Sequence, residues 1–343
     1  MKTPFPLVSC IVVNWNGGKV FQDCLATLKK ITYPNWELIL VDNGSNDGSE
    51  EYPQKYKLPL KSYHLIKNTT NVGFAPANNQ ALEKAKGKYV LLLNNDTKVT
   101  PEFLQPLVEK LDSEEQVAAL QPKIYLMDSD GLLDNAGSFL TWTGFLRHWG
   151  YMKKDSPEFA KQADIFSPKG ACVLIRKSVI DEIGLFDADF GSYFEETDFA
   201  WRVWLSGKRI LYYPKSHIFH KLGYTARRLS GVELNYNNYK NRIASFIKNL
   251  EFGNLLMLLT FHIVVSLGLL ISFLVIGKFK NALMIIRAYV WNFKNRKSTW
   301  EKRKLIQKMR KVPDSKLFTT IMWPIKWGDY FQSFKILRKD LEK

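Results

Sequence analysis

Residues 89–96, with the sequence Tyr-Val-Leu-Leu-Leu-Asn-Asn-Asp, limit the possible folds of this chain more than any other segment. Five apolar residues in a row are typical of a strand that is buried on both faces inside a parallel sheet. The run ends at Asn94, Asn95 and Asp96, and open α/β sheets bind ligands at the carboxyl ends of such strands. Oxygens of Asn94 and Asp96 would suit a hard divalent cation, although a strand end followed by a helix cap explains the same residues.

Predicted strands and helices alternate through the first third of the chain. Each predicted strand runs into a polar loop of turn-forming residues, and the segments between strands repeat apolar residues at helical spacing. The order β-α-β-α-β-α-β predicts an α/β fold with a Rossmann-like, mostly parallel sheet and helices on both faces. These four strands are predicted at residues 7–13, 36–41, 62–66 and 89–93. Neither GxGxxG nor a P-loop is present, which argues against the usual dinucleotide and P-loop folds.

The second half of the chain is less regular. We expect strands near 117–121 and 166–176 and a short strand at 210–213. Residues 123–165 contain two tryptophans and several glycines, and we expect them to form a hairpin and a surface loop over the site.

Three carboxylates within four residues, Glu195, Glu196 and Asp198, lie at the start of a predicted helix. The helix dipole stabilises acidic residues there by roughly 0.3–1 kcal/mol each, which would account for them without any catalytic role. The aromatic residues on both sides would remove the carboxylates partly from water and raise their pKa values toward those of a useful base. Both explanations stay open at this point.

His217 and His220 follow the predicted strand at 210–213. Residues i and i+3 of an extended segment point to opposite faces, so we expect at most one of the two imidazoles in the site. That imidazole could join Asp96 on a phosphate-bound cation, whereas the lack of a second His or Cys group at ligand spacing argues against zinc. Asp42, at the end of the second predicted strand, could hold a ribose or a base edge or simply form a turn.

The basic character of the chain is concentrated at its C-terminal end. The whole chain has 49 Lys and Arg against 33 Asp and Glu, a net charge of +16. Residues 278–343 contain 18 of the basic and 5 of the acidic residues. Such a tail could bind nucleic acid or an anionic membrane surface, and the apolar run just before it favours the membrane.

Residues 255–277 contain no charged residue, and these 23 positions are enough to span a hydrocarbon core of about 30 Å. Residues 282–293 are amphipathic and aromatic, which predicts a helix lying in the membrane interface. A single span would put the basic tail outside, against the positive-inside tendency. We therefore expect a shallow or re-entrant insertion that bends near Gly268, or a return through residues 317–330. Such an insertion would keep both ends in the cytosol, and the three widely spaced cysteines fit a reducing compartment.

Seven short motifs occur along the chain in a consistent order. With them, the sequence resembles the inverting family 2 glycosyltransferases of GT-A fold, and among these a rhamnosyltransferase-like branch with a C-terminal membrane segment. The likeness covers residues 7 to about 250; each motif is weak alone, whereas seven in order are highly specific. The motifs lie at residues 8–17, 41–49, 71–79, 92–97, 170–172, 194–202 and 219–220.

This resemblance implies a role for each matching residue. It implies Mg²⁺ or Mn²⁺ as the cofactor, held by Asp96 and His220. It implies Glu196 as the catalytic base, with Glu195 and Asp198 as alternatives. It also implies a uracil or thymine nucleotide bound by the loops after the first strands, at Val13, Asn14, Asp42, Asn71, Gly73, Asn94 and Asn95.

Three positions depart from the family pattern. Glu196 is one methylene longer than the usual aspartate, and Asn94 replaces an aspartate near the cation. Pro76 and Ala77 replace two glycines and stiffen their loop. The Gln-x-x-Arg-Trp motif of processive synthases does not occur between Asp198 and Lys248, so we expect single or short sugar additions.

The resemblance therefore predicts a GT-A glycosyltransferase domain at 1–250, membrane-inserted and interfacial helices at 251–297, and a basic cytosolic tail at 298–343. The predicted enzyme transfers a sugar from a dTDP- or UDP-sugar to a lipid-linked or cell-surface glycan, on the cytoplasmic side of the cell membrane. The alternatives are a sugar-1-phosphate nucleotidyltransferase, whose basic Gly-rich loop is missing, and a non-catalytic membrane scaffold of the same fold. Binding of nucleic acid by the tail is disfavoured.

Overall fold

The computed structural model describes residues 5–52, 62–221, 223 and 231–325. Its centre is a mixed sheet in which β1 (Val8–Asn14) pairs in parallel with both β2 (Trp36–Asn43) and β4 (Tyr89–Asn94). β3 (Tyr63–Asn68) extends the parallel part beside β2. The fold class predicted from the sequence, an α/β fold with a mostly parallel sheet, is confirmed.

The other half of the sheet continues from β4 with strands of both directions. β11 (Cys172–Arg176) runs antiparallel to β4 and to β6 (Val117–Leu126), and β12 (Arg209–His220) runs parallel to β6. Shorter strands complete this half: β5 (Thr97–Val99) and β10 (Ala163–Asp164) pair with β12, β7 (Leu133–Asn135) pairs with β6, and β8 (Ser138–Leu140) forms a hairpin with β9 (Leu146–His148).

Helices cover both faces of the sheet because its central strands are apolar on both faces. One apolar layer packs Phe21 of the first helix and Leu107 of the third against β1 and β4. The opposite layer buries Ala77, Ile180 and Trp201. The helices of these layers are α1 (Gly18–Leu28), α2 (Phe74–Leu82), α3 (Leu104–Ser113), α4 (Lys177–Ile183) and α5 (Glu195–Leu205).

Among the described residues, five further helices follow β12, and four of them contribute to the second layer. The five helices are α6 (Gly231–Asn249), α7 (Phe252–Val275), α8 (Phe279–Lys294), α9 (Arg296–Met309) and α10 (Asp314–Ile321). Phe246 of α6, Leu258 of α7, Ile306 of α9 and Ile321 of α10 all belong to the main apolar core. α7 is the one helix among the described residues that is long and apolar enough to cross a membrane.

The structure corrects three of the sequence predictions. β12 has twelve residues rather than the predicted four, so its pairing with neighbouring strands continues as far as His220. The predicted basic tail is not separate over its described part, because α9 and α10 contribute to the core; residues 326–343 lie outside the described residues. The predicted bend near Gly268 is wrong, since α7 is continuous from Phe252 to Val275.

Candidate active site

A cleft of about 290 Å³ opens at the carboxyl ends of β1 and β4. β4 ends there in a turn at residues 94–97. The Thr97 hydroxyl closes this turn by donating to the Asn94 carbonyl at 2.7 Å. Glu195 and Glu196, at the acidic start of α5, also line this cleft. The lining residues include Val13, Trp15, Asn43, Asn71, Phe74, Asn94, Asn95, Asp96, Lys169, Gly170, Ser192, Tyr193, Glu195, Glu196 and His220.

The pairing of β5 with the end of β12 brings Asp96 and His220 together. β5 begins one residue after Asp96 and pairs with the end of β12, where His220 lies opposite Thr97. The Lys221 amide also donates to the Asp96 carbonyl at 2.9 Å. As a result, His220 Nε2 lies 3.2 Å from Asp96 Oδ1. His217 points elsewhere and packs edge-on against Tyr125, so one imidazole of the pair faces the cleft, as predicted.

A buried carboxylate that the sequence did not indicate holds the other side of His220. Asp134, in β7, is fully buried, and its Oδ2 lies 2.8 Å from His220 Nδ1. Burial by itself lowers the pKa of His220, but the hydrogen bond to Asp134 and the charge of Asp96 outweigh it and raise that pKa to about 9. The carboxylate accepts the proton of Nδ1, which leaves Nε2 facing Asp96.

The residues at this point fit a divalent cation. Adjacent ligands of an octahedral Mg²⁺ lie about 3 Å apart, since each metal–oxygen bond is about 2.1 Å long, and the Asp96–His220 contact has that separation. Asn94 Oδ1 is buried without a hydrogen-bond partner, and Asp96 Oδ1 is buried with the His220 ring as its ion-pair neighbour. No group of three or more His, Cys, Asp and Glu side chains with metal-site spacing occurs among the described residues. The protein therefore offers two ligands, and a phosphate-bearing substrate would supply others.

The two glutamates at the start of α5 face the cleft with different surroundings. Burial and the charge of Glu196 raise the pKa of Glu195 well above its ordinary value. Burial also raises the pKa of Glu196, but backbone amides and the nearby Lys169 ammonium oppose this rise. Glu196 therefore has neighbours that favour its carboxylate form, and Oε2 of each glutamate is buried without a hydrogen-bond partner.

Asp198 does not reach the cleft, and the structure corrects its candidacy as the base. Its side chain is fully buried on the far side of α5. Its Oδ1 accepts from Asn249 at 2.9 Å and lies 3.0 Å from Lys248 Nζ, while Oδ2 lies 3.3 Å from Arg202 Nε. A carboxylate held by two cations and an amide is a structural group, because its charge is already compensated.

The backbone before the two glutamates is strained and tightly held. Tyr193 and Phe194 have φ values of 72° and 71°, a left-handed conformation that residues with bulky side chains rarely adopt. The amide of Asn241, on α6, donates to the carbonyls of Phe190, Ser192 and Tyr193 at 3.0, 3.1 and 2.6 Å. α6 thereby fixes the turn that presents Glu195 and Glu196.

The predicted nucleotide-binding residues divide into two groups. Val13, Asn71, Asn94 and Asn95 line the cleft. Asn14 and Asp42 lie below it: the Asn14 amide donates to Ser49 at 2.9 Å and lies 3.4 Å from Asp42 Oδ1, and both side chains are buried. They support the loops from underneath and are not among the cleft-lining residues.

Gly73 shapes the cleft through its backbone. Its φ of +97° and the approach of Gly191, 2.8 Å from where a Cβ would be, leave no room for a side chain. Asn43 ties this loop to β2, since its amide donates to Asn71 Oδ1 at 2.9 Å. The Ala75 amide then donates to the Gly191 carbonyl at 2.7 Å, which joins the loop to the wall that carries the two glutamates.

Sequence reasoning missed four residues that the structure assigns to the site: Trp15, Asn43, Asp134 and Lys169. Trp15 and Asn43 stood inside motifs already singled out, directly beside Asn14 and Asp42, and could have been included on that ground. Asp134 and Lys169 carry no local signal, because they belong to the irregular region between β6 and β11. Lys169 Nζ lies 3.9 Å from Asp134 Oδ1, so the cleft also contains a cation of the protein.

The fold resembles that of solved glycosyltransferases. Over 72% of this chain and 48% of the other, it matches the crystal structure of GalNAc-T7 with UDP, GalNAc and Mn²⁺, with a TM-score of 0.57 and 18% identity. The mannosyltransferase PcManGT from Pyrobaculum calidifontis, in complex with GDP-Man and Mn²⁺, matches over 90% of this chain and 86% of its own, with a TM-score of 0.54 and 17% identity. At these identities the likeness defines the fold class, which is GT-A-like.

The amino-acid sequence then identifies the family. Residues 9–184, just over half of the chain, match the model of Glycosyl transferase family 2, and the chain belongs to that family. TuaG of Bacillus subtilis (strain 168), named for teichuronic acid biosynthesis, is 35% identical over 104 residues, which are 30% of this chain and 41% of TuaG. The chain spans less than half the length of the curated relatives it matches.

Proposed function

We propose that this family 2 enzyme transfers a sugar from a nucleoside-diphosphate sugar to a lipid-linked or cell-surface glycan in one inverting displacement. One observation carries the proposal. Asp96, His220, Glu195 and Glu196 all line the same cleft, which is open to solvent. A single displacement needs a cation site for the leaving group and a base on the opposite side of the sugar.

The donor would bind between the loops that follow β1, β2 and β3. Trp15 and Phe74 provide aromatic surface for a base, and Asn71, which Asn43 holds in place, provides an amide for a ribose. dTDP- and UDP-sugars remain the donors that the sequence resemblance implies. The neighbours described above were crystallised with UDP or GDP-Man, which supports a nucleoside diphosphate as the ligand class.

Asp96 and His220 would hold Mg²⁺ or Mn²⁺, with Asn94 beside them. Such an ion, when bound, supplies electrostatic stabilisation of the departing diphosphate. The protein's own contribution at this point is to orient both ligands: the turn 94–97 positions Asp96, and Asp134 positions His220. Lys169 brings a further positive charge to the same region of the cleft.

Glu196 would act as the base that takes the proton from the acceptor hydroxyl. Its neighbours favour ionisation more than those of Glu195 do, and its carboxylate lies about 3.8 Å from where a Cβ on Gly170 would be. The absence of a side chain at Gly170 therefore leaves space beside Glu196 for an acceptor. General-base help of this kind is worth roughly 10²–10⁴-fold in rate.

The acceptor proposal rests on two facts outside the cleft. TuaG is named for teichuronic acid biosynthesis, and this chain carries an apolar helix of 24 residues directly after α6. A lipid-linked or surface glycan would reach such an enzyme at the cytoplasmic face of the cell membrane, where nucleotide sugars are also available. We therefore propose that location for the catalytic domain.

The test is donor hydrolysis and transfer by the detergent-purified full-length chain. Release of UDP, dTDP or GDP would be measured across a panel of nucleotide sugars, with and without Mn²⁺. Wild type would be compared with Asp96→Ala and Glu196→Gln, and with Asp130→Asn as a matched control on an exposed carboxylate that does not line the cleft. We expect metal-dependent release of one nucleotide that Asp96→Ala abolishes and Asp130→Asn leaves intact.

Two results would contradict the proposal in different ways. If calorimetry detected no nucleotide sugar bound to the folded protein, a non-catalytic scaffold would be the better interpretation. If Glu196→Gln kept full transfer to an acceptor, the base would have to be Glu195, which faces the same cleft.

A further inference from the structure

α7 and α8 form a two-helix hairpin with an apolar outer face. On α7, ten of the large apolar side chains are more than one-third exposed, among them Leu256 at 52%, Val264 at 62%, Leu267 at 53% and Ile271 at 58%. On α8 the exposed apolar residues recur at intervals of four and three positions, which is one face of a helix: Phe279, Leu283, Ile286, Val290 and Phe293. Continuous apolar surface of this extent is rare on monomeric proteins that are surrounded only by water.

The opposite face of α7 is packed against the protein along almost its whole length. Leu255 and Leu258 belong to the main core, and His262 Nδ1 lies 3.1 Å from the Thr143 carbonyl of the β8–β9 hairpin. The Tyr289 hydroxyl of α8 donates to Ser266 at 3.1 Å, and Phe273 packs in a third apolar cluster with Tyr239. The contact therefore extends from the first turn of the helix to the last, about 27 Å at 1.5 Å per residue.

This packing limits the orientations in which the hairpin can bind to a bilayer. α6, which lies beneath both helices, carries Glu233, Lys240, Arg242 and Lys248. If α7 crossed the bilayer, α6 and the β8–β9 hairpin would be carried into the hydrocarbon with it, and charged groups there cost at least about 2.5–3.5 kcal/mol each. If α7 instead lies parallel to the bilayer plane, its outer face enters the lipid and α6 stays outside.

The charges around the hairpin fit an anionic lipid surface. Residues 252–300 contain six basic residues and no acidic residue. Lys280 lies in the first turn of α8, beside the start of the apolar stripe, and Lys294, Arg296 and Lys297 follow the stripe; all four are exposed. Basic residues beside an inserted apolar face attract anionic headgroups by about 1 kcal/mol each.

We propose that the outer faces of α7 and α8 bind one leaflet of an anionic membrane, with both helices lying in the plane of the bilayer and neither spanning it. The proposal is independent of the donor, the metal and the base. A negative result for membrane binding would therefore leave the proposal of sugar transfer intact. A negative result for sugar transfer would likewise leave the proposal of membrane binding intact.

The first experiment measures binding of the full-length chain to vesicles by flotation, after removal of detergent. We expect binding to vesicles that contain phosphatidylglycerol and weaker binding to pure phosphatidylcholine. Leu267→Glu and Leu283→Glu should each weaken binding roughly tenfold or more, since each removes the transfer of a leucine side chain worth about 1.5–3 kcal/mol. Leu305→Glu, at a 70% exposed leucine of α9, is the matched control and should bind like wild type.

A second measurement distinguishes lying in the plane from spanning. Single cysteines at Leu256, Val264 and Ile271 would carry a fluorophore, and the three native cysteines are buried and should label little. Quenching by lipids brominated near the headgroup or near the chain end reports depth. We expect the same shallow depth at all three sites, whereas a depth that changes steadily along the helix would show a span and overturn the proposal.

Other occupants of the face give different results in the same experiments. If wild type fails to bind vesicles and forms a dimer that Leu267→Glu dissociates, a second copy of the chain covers the face. If wild type fails to bind and remains a soluble monomer, the face needs no lipid. Either result overturns the proposal, and hydrolysis of a water-soluble donor by the same samples shows whether the catalytic domain is intact.

Discussion

The imidazole of His220 donates from Nδ1 to Oδ2 of Asp134 over 2.8 Å, and this contact determines which ring nitrogen faces Asp96. The two residues are 86 positions apart in sequence and meet because β7 and β12 both pair with β6. A buried carboxylate behind a histidine is a common arrangement at metal centres, since it fixes both the tautomer and the direction of the ring.

Asp134→Asn should therefore weaken binding of the proposed cation by about tenfold or more, the usual effect of removing such a partner. The affinity for Mn²⁺ would be measured by calorimetry in the presence of the nucleoside diphosphate, which separates binding from turnover. Asp130→Asn, on an exposed carboxylate, is the control. An unchanged Mn²⁺ affinity in a folded Asp134→Asn variant would remove His220 from the proposed cation site.

The pH dependence of transfer should report the surroundings of Glu196. Its pKa is raised by burial, so the carboxylate needed for base catalysis appears only above the ordinary glutamate value of about 4.3. The rate should rise with pH through a midpoint above that value. Lys169→Met removes a charge that favours the anion and should move the midpoint further up. Profiles of kcat/KM against pH would measure both, and a Lys169→Met midpoint at or below that of wild type would contradict the assignment.

Asn241→Ala should destabilise the protein and impair the presentation of Glu196. The substitution removes one amide that donates to three buried carbonyls, at a net cost of about 1–3 kcal/mol. Denaturant unfolding would measure the free energy. Asn238→Ala is a matched control one turn earlier on α6, because its amide donates only within the helix, to Leu234. Equal losses in the two variants would mean that the three carbonyls are satisfied in another way.

The ion-paired carboxylate of Asp187 should make stability depend on acid pH. Lys248 Nζ lies 2.6 Å from one of its oxygens and Lys302 Nζ 2.5 Å from the other. Burial opposes ionisation, but these two cations hold the pKa of Asp187 well below its ordinary value.

A depressed pKa in the folded state adds stability at every pH above the unfolded value of about 3.9, and that stability is lost as the pH falls below it. Asp187→Asn should therefore lower the free energy of unfolding at pH 7 by about 1–3 kcal/mol, and this difference from wild type should shrink below pH 4. Unfolding curves at several pH values would measure it. A difference that is constant with pH would show that the lost contacts act without the charge.

The part of the fold that follows simple periodicity was predictable from the sequence. The run before Asn94 is apolar at every position, and a strand of that kind must be central, with its polar end at the ligand edge of the sheet. The same reasoning pointed to Asp96, and the cluster of carboxylates among aromatic residues pointed to the start of α5. Spacing predicted only that at most one of His217 and His220 would face the site, and the family resemblance selected His220.

The remainder of the site depends on contacts between distant parts of the chain. Asp134 acquires its role only when β7 pairs with β6, and nothing next to it in sequence indicates that pairing. Asp198 is a carboxylate like Glu196 and lies only two positions after it, yet this half-turn of helix directs its side chain into the core, toward Lys248 and Arg202. Neighbours in sequence therefore do not show which carboxylate of a helical cluster is accessible.

The packing of α9 on α6 has a consequence for how this enzyme can be produced in the laboratory. Arg303 donates to the carbonyls of Ile247 and Leu250 at 2.6 Å each, and so satisfies the C-terminal end of the helix that carries Asn241. Shortening the gene after residue 250 to obtain a detergent-free catalytic domain would remove this cap and expose Phe246 and Leu250. Soluble material should instead come from replacing outward-facing leucines of α7 and α8 while the polypeptide keeps its full length.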